Sequence, residues 1–356
     1  MKDLNEIREE IDSIDEKLVA LLNKRATLAQ RIARIKKKSG SPVYIPAREN
    51  HILKRVSELN GGPLSPEALK GVFREIFSAT RSVEKEIKVA CLGPAGTFSH
   101  LAATRLFGSS SIYSLEGGID AVFKCVEKAG ADFGVVPVEN TIEGAIGQTM
   151  ELLIESQVNI FGELYFDVHH NLLSNAAKLK DIKTLYTHYM PKGQCKKWVA
   201  LNLPGVKIIE TSSSTEAAAK AKNDKRGAAI GAAEAAAIYG LNVLAEKIED
   251  MPGNQTRFFV ISLDKAPRSG TDKTSIVFSI KDSVGALTKI LKPFAAKQIN
   301  LSKIQSRPRK LAGWEYVFFI DLDGHTDDPD VKWALSKVVS QTTFFKALGS
   351  YPNAKA

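Results

Sequence analysis

Arg25 stands where an apolar residue is due. Leu4, Ile7, Ile11, Ile14, Leu18, Leu21, Arg25, Leu28, Ile32 and Ile35 recur at spacings of three and four, the period of one helical face. A guanidinium in such a seam costs several kcal/mol unless it is paired. Positions 21, 22, 28 and 29, one turn away, are all neutral, and Lys24 to Lys38 holds seven basic residues and no acidic one. Two readings stand: a register-setting residue whose charge reaches solvent, or one clamp of an anionic ligand. Lys36 lies ~16 Å along the axis, within converging reach, whereas Arg8 lies ~25 Å away and could join only from a second chain. Arg48, Glu49, Thr80 and Glu84 follow on later helices and can complete a pocket. A second cluster, GNQTRFF (253–259), crowds amide, hydroxyl and guanidinium groups at the mouth of the apolar strand that continues into Val260-Ile261. Alone it fits a polar turn as well as a carboxylate site.

These residues need elements to hold them. No Pro or Gly interrupts the first seam before Gly40. The spacing therefore predicts a helix of ~50 Å, too long to bury its own face and in need of other helices, including those of a second chain. A second helix starts near Pro46. Ser65-Pro66-Glu67 reads as an N-cap with Pro at the first helical position, opening a third helix with a seam of Leu69, Phe73, Ile76, Thr80 and Val83. From Ile87 the pattern changes to short strands ending in polar or Gly-rich turns: residues 87–92 before GPAGTFSH, FGVVPVEN (133–140) and KIIETSSS (207–214). That is α/β architecture with ligand groups at the C-terminal ends of strands. The Ala-rich AAIGAAEAAAIYG reads as one close-packed helix, with no role for Glu234. After a polar linker the order is strand, helix, two strands, helix and strand.

Composition bounds the function. The 356 residues suit two or three domains, and a net charge of +9 with acidic and basic residues interleaved suits small anionic ligands better than nucleic acid. No apolar run approaches the ~18 residues of a membrane span. The start, MKDLNEIREE, lacks the apolar region of a secretory signal. Cys91, Cys125 and Cys195 are scattered, so a reducing cytoplasm is expected, with no disulfide framework and no zinc site. His169-His170 lacks a third ligand at metal spacing, and GPAGTFSH lacks the Gly-Lys-Ser/Thr of a nucleotide loop. No cofactor is expected.

Over residues 1–86 the chain resembles the all-helical chorismate mutases. The pattern IREEIDSIDEKLVALLNKR, then Lys36, Pro42-Val43-Tyr44, Ala47-Arg48-Glu49 and FREIFSATRSVE carries the likeness. The resemblance implies an intertwined dimer in which Arg8 reaches the partner's site. Arg8, Arg25 and Arg48 would clamp the carboxylates of chorismate, beside Thr80. Lys36 and Glu84 would meet the ether oxygen, and Glu49 the ring hydroxyl. Many family members have Gln in place of Glu84.

Over residues 87–265 the chain resembles the prephenate dehydratases, on GPAGTFSH, VPVENTIEGAI, DVHHNLL, THYMPKGQC, ETSSSTEAAA and NQTRFFVIS. The fold implied is two α/β subdomains around a cleft, like a periplasmic binding protein. Thr256 becomes the leading catalytic candidate, donating to the leaving hydroxyl. Asn140, Thr141, Thr187, Gln194, Ser214 and Thr215 would add polar contacts, and Phe258 would pack against or beneath the ring. Arg257 either pairs with a carboxylate or is structural. The family usually has His-Pro-Gln where this chain has His188-Tyr189-Met190-Pro191, which leaves that loop's shape open.

Residues 266–273 read as a linker, and 274–352 resemble an ACT domain, a ferredoxin-like βαββαβ module. Its phenylalanine-binding motifs would be Gly285-Ala286-Leu287 and Gln305-Ser306-Arg307-Pro308, with Asn300 nearby. Gln305 stands where the family has Glu, which removes a charge. The arrangement is that of the bifunctional enzymes of phenylalanine synthesis, with chorismate and prephenate as substrates, L-phenylalanine as effector and a homodimer or higher oligomer as the assembly. Two rival readings are a dehydratase with a merely dimerising helical arm and a non-enzymatic amino-acid sensor.

Overall fold

The computed structural model describes residues 3–39, 43–308 and 316–354, with the side chains of residues 36–39 outside that description. The chain divides into two compact units, Met1–Lys88 with Thr104–Ile112, and Val89–Ala103 with Tyr113–Ala356.

In the first unit, helices span Leu4–Ser39, Pro46–Glu58 and Pro66–Glu84, and the first packs on the third. The third starts as its sequence demands, with the Ser65 hydroxyl accepting from the Ala68 amide at 3.1 Å. Its fully buried residues are Phe77, Ser78 and Arg81, one step around from the expected seam. Phe73, Ile76 and Thr80 are half-buried, and Val83 is exposed. The apolar seam of the long helix, from Leu4 to Ile35, is exposed along its whole length within one chain.

The second unit holds three sheets. In the first, the strands run in the order Ile112–Glu116, Lys88–Leu92, Phe133–Asn140, Gln255–Ser262, Asn159–Asp167. The Lys88 and Phe133 strands are parallel, while the Gln255 strand is antiparallel to both its neighbours. The second sheet has the order Asn242–Ala245, Asn171–Ser174, Gly227–Gly231, Thr184–Thr187, Lys207–Glu210. Here the Ala-rich stretch divides. GAAIG is a fully buried strand, and the helix is only Ala233–Tyr239. Four small residues and Ile230, none with a polar side chain, fit a central strand covered on both faces, so residues 228–231 form a strand rather than the expected helix.

The third sheet is antiparallel, in the order Leu301–Pro308, Tyr316–Asp323, Asp272–Ser279, Phe344–Pro352. Helices Ala286–Ala296 and Pro329–Val339 cover one face around Ile276, Phe278, Phe294, Ile320 and Val338, giving βαββαβ order. Its first strand starts inside the expected linker, because the Asp272 carboxylate gathers the Ser269 and Gly270 amides at 3.0–3.2 Å. The last strand lies against Asn159–Asp167 of the first sheet, so closely that a Cβ on Gly349 would sit 2.3 Å from the Ile160 carbonyl oxygen.

Candidate active sites

The three-helix unit holds a cavity of about 460 Å³ lined by Arg25, Arg48, Glu49, Thr80, Arg81 and Glu84 over apolar walls that include Ile32 and Phe77. Arg25 comes from the long helix, Arg48 and Glu49 from the first turn of the second, and Thr80 and Glu84 from the third. The Arg25 guanidinium donates to the Thr80 hydroxyl, which donates on to the Ile76 carbonyl at 2.6 Å. Arg25 also lies over the Phe77 ring, 5.4 Å from its centre. Burial lowers its pKa, while Glu49 and Glu84 oppose the shift. The charge therefore sits in a partly dry pocket where an anion would be welcome.

Sequence reasoning passed over Arg81. It is buried, pairs with Glu49, donates to the Phe107 carbonyl at 2.7 Å and lies 5.1 Å from the centre of the Tyr44 ring. Its signal was present in FREIFSATRSVE, one turn before Glu84 and one turn after Phe77. The Glu49 carboxylate, expected to face ligand alone, is thus held by a neighbouring cation. Arg8 is exposed and does not line this cavity. The expectation for the Lys36 side chain lies outside the described residues.

The second site is a chain of hydrogen bonds between the first two sheets. Asn140 ends one strand and Thr256 lies opposite it in register. The Asn140 amide nitrogen donates to the Thr256 hydroxyl at 2.9 Å and to Asn254 Oδ1 at 2.7 Å. Its oxygen accepts from the Ile142 and Glu143 amides at 2.9 and 3.1 Å. Asn254 then donates to Gln194 Oε1 at 2.9 Å, and His170 Nε2 lies 2.7 Å from the same oxygen. Gln194 Nε2 donates to Glu143 at 3.3 Å.

An amide oxygen can only accept, so His170 carries its proton on Nε2. Its Nδ1 is buried with no hydrogen-bond partner among the described residues. Burial lowers the His170 pKa, against the opposing effects of Gln194 and Glu249. The imidazole is therefore neutral at pH 7. Phe258, Phe166, Phe98 and His170 follow one another with ring centres 5.8–6.5 Å apart, an apolar wall beside the amides. His169 pairs with Glu249 at 2.8 Å.

Other expected residues serve elsewhere. Thr141 staples the turn, donating to the Gly253 carbonyl at 3.2 Å and accepting from the Gln255 amide at 3.0 Å. Thr187 is buried and donates to the His188 carbonyl. Ser214 opens the helix Ser214–Lys222. Thr215 bonds to Ser213 at 3.0 Å, and its methyl lies 3.5 Å from where a Cβ on Gly96 would be, which brings GPAGTFSH and ETSSST together. Of the two readings of Arg257, the geometry supports the structural one. Arg257 follows Thr256 on a strand, so it points to the opposite face. There it is buried against Glu163 at 2.6 Å, Asp321 at 2.5 Å and the Tyr351 hydroxyl at 3.1 Å. The residues that sequence reasoning missed in this site are Asn254, Glu143 and His170. Asn254 is visible within GNQTRFF, and His170 stands in the His169-His170 pair, whose lack of a third metal ligand gives it no role in sequence.

The expected effector residues come from the start of one helix, the loop after it and the edge strand. Gly285, at φ 77°, caps the helix that begins with Ala286 and Leu287. Asn300 donates to Asp323 at 2.9 Å. Ser306 and Pro308 are exposed on an edge strand. Arg307 points the other way, to Glu151 at 3.7 Å, and occupies space that a side chain on Gly147 would need.

A helical unit with a cationic pocket, two sheets joined by a buried amide network and a βαββαβ module define a multidomain biosynthetic enzyme with a regulatory domain. The chorismate mutase type II family matches residues 7–85, the prephenate dehydratase family residues 89–266 and the ACT domain residues 274–339. A bifunctional chorismate mutase/prephenate dehydratase of Aquifex aeolicus (strain VF5) is 46% identical over 99% of this chain and 99% of its own. One from Stutzerimonas stutzeri is 42% identical over 99% of this chain and 98% of its own. The crystal structure of prephenate dehydratase from Arthrobacter aurescens, in complex with L-Phe, superposes with a TM-score of 0.70 at 34% identity, covering 76% of this chain and 91% of that one. The chain belongs to the bifunctional chorismate mutase/prephenate dehydratases and carries both enzyme domains. No helix among the described residues is long and apolar enough to cross a membrane.

Proposed function

We propose that the cationic pocket rearranges chorismate and that Thr256 drives the loss of water and CO2 from prephenate. In the pocket, Arg25 and Arg48 hold the two carboxylates, and Thr80 fixes the Arg25 rotamer. Glu49, backed by Arg81, accepts from the ring hydroxyl. Glu84 donates to the ether oxygen as the C–O bond breaks. No nucleophile is needed, because the rearrangement asks only for a held conformer and stabilised charge. Arg8 completes the site from a second chain. The exposed apolar seam of the long helix supports that dimer, since a stripe of this length needs a cover.

At the second site the carrying observation is the Asn140–Thr256 hydrogen bond. Asn140 donates to the Thr256 oxygen, so the hydroxyl proton is left to donate to a ligand. In prephenate that ligand atom is the ring hydroxyl. Its C–O electron pair leaves with it, the ring carboxylate departs as CO2 and gives its C–C pair to the ring, and phenylpyruvate remains. Phe258, Phe166 and Phe98 keep water from the departing CO2. The ACT module would take L-phenylalanine as a feedback effector, as the L-Phe complex of the related dehydratase suggests by analogy.

The test is direct. Purified protein given chorismate should release prephenate and then phenylpyruvate, and millimolar L-phenylalanine should slow the second step alone. Phenylpyruvate formation indifferent to L-phenylalanine, with no calorimetric binding, would leave the ACT module structural.

A further inference from the structure

Thr256 and Asn140 face each other across neighbouring strands, and the next register pair is Arg257 with Glu139. Successive side chains alternate between faces, so this second pair projects away from the site. Both its members are gripped by the ACT sheet. Arg257 donates to Asp321 at 2.5 Å, and Lys303 donates to Glu139 at 2.7 Å. Lys303 and Asp321 are themselves register partners in the ACT sheet. Two cross-strand pairs of opposite charge thus dock face to face, every charge meeting its opposite. Glu163 and Lys273, bonded at 2.7 Å, extend the array inward, so that Arg257 and Lys273 balance Glu163 and Asp321.

The location matters more than the number of bonds. The register of the Thr256 strand on the Asn140 strand shifts just past Arg257, where Phe258 pairs with Pro137. A bulge loosens the ladder there, and Pro137 has no amide proton to give. On that side the ladder guides the Thr256–Asn140 pair less closely than the Thr141 staple does on the other, and the charges one residue away add a second constraint.

We propose that Arg257 and Glu139 are positioning residues, and that their four-charge clasp with Asp321 and Lys303 makes dehydratase turnover depend on the seating of the ACT sheet. This rests on the reading of Thr256 as the proton donor. Arg257→Met would strand two buried carboxylates, so the informative variants lie at the more exposed end. In the full-length protein, Lys303→Met and Glu139→Gln should each lower dehydratase kcat about tenfold with KM nearly unchanged. Mutase turnover and melting temperature should hold. The double variant should be no slower than either single one, because both break one device. Lys303→Arg should restore the rate.

Wild-type kcat in both single variants, or losses that multiply in the double, would overturn the clasp. A fall in melting temperature without a fall in kcat would overturn it too. Thr256→Ala, run in parallel, separates the two ideas. If it abolishes turnover while the clasp variants stay normal, only the clasp falls. If Thr256→Ala keeps turnover, the site reading falls and takes the clasp with it.

Discussion

The mutase pocket and the dehydratase site solve opposite problems with opposite materials. The first is lined by three arginines and two glutamates in an open cavity. The second is a run of amides, a hydroxyl and an uncharged imidazole, bonded to one another and largely buried, with the single carboxylate of Glu143 at its exposed end. A dianion that rearranges without exchanging a proton is best held by fixed charges. A hydroxyl that must leave is best met by a donor whose direction is already set. The pocket also draws on a long helix whose apolar seam is exposed within one chain, whereas the amide network forms between two sheets of one chain.

Removing a charge should hurt most. Arg25→Ala should cut mutase turnover about a thousandfold, ~4 kcal/mol of barrier, and leave phenylpyruvate formation from prephenate intact. Mixing Arg25→Ala with Arg8→Ala subunits should restore part of the mutase rate, since one site in the mixed dimer is whole. Failure to recover in subunit-mixing assays would remove Arg8 from the shared site. Thr256→Ala comes next, with a loss of about a hundredfold in the dehydratase alone. Survival of turnover within about tenfold, ~1.4 kcal/mol, would clear Thr256 of the role.

Acidity should then pull the two halves apart. His170 has its pKa lowered by burial, so the unfolded chain binds its proton more readily than the folded one. Stability from this group is present at neutral pH and is lost as pH falls from the ordinary value of 6.5 toward the lowered one. Dehydratase turnover and melting temperature should fall together on the acid side, and His170→Gln should remove that limb. Glu84→Gln should keep the mutase active, because an amide donates to the ether oxygen at any pH. Parallel pH profiles for both activities would break the contrast. The smallest effect is Thr80→Val, which frees the Arg25 rotamer and should slow the mutase by about fivefold, ~1 kcal/mol.

Periodicity carried the long helix, the cap at Ser65 and the order of the ACT elements, because each depends on neighbours in sequence. Side-chain chemistry points to Arg25, Arg48, Glu49, Thr80 and Glu84 as one pocket, while Asn140, Gln194 and Thr256 are grouped only by resemblance to the prephenate dehydratases. What sequence hid depends on partners far along the chain. Arg257 looks like a ligand group until Asp321, 64 residues on, is seen to hold it. His170 looks like loop polarity until Gln194 is found 2.7 Å away. AAIG reads as helix because alanine favours helices, and only burial between two covering faces makes it a strand.

Gly349 sets a limit on how such a protein can be rebuilt from parts. Its strand meets the Ile160 backbone with no room for a methyl group, so the dehydratase and its ACT module are joined main chain to main chain. An ACT domain borrowed from another enzyme and spliced in at the linker would fold, yet any side chain at that position would hold it off the dehydratase sheet. A module exchanged into this chain therefore keeps the joint only if glycine stands at that position.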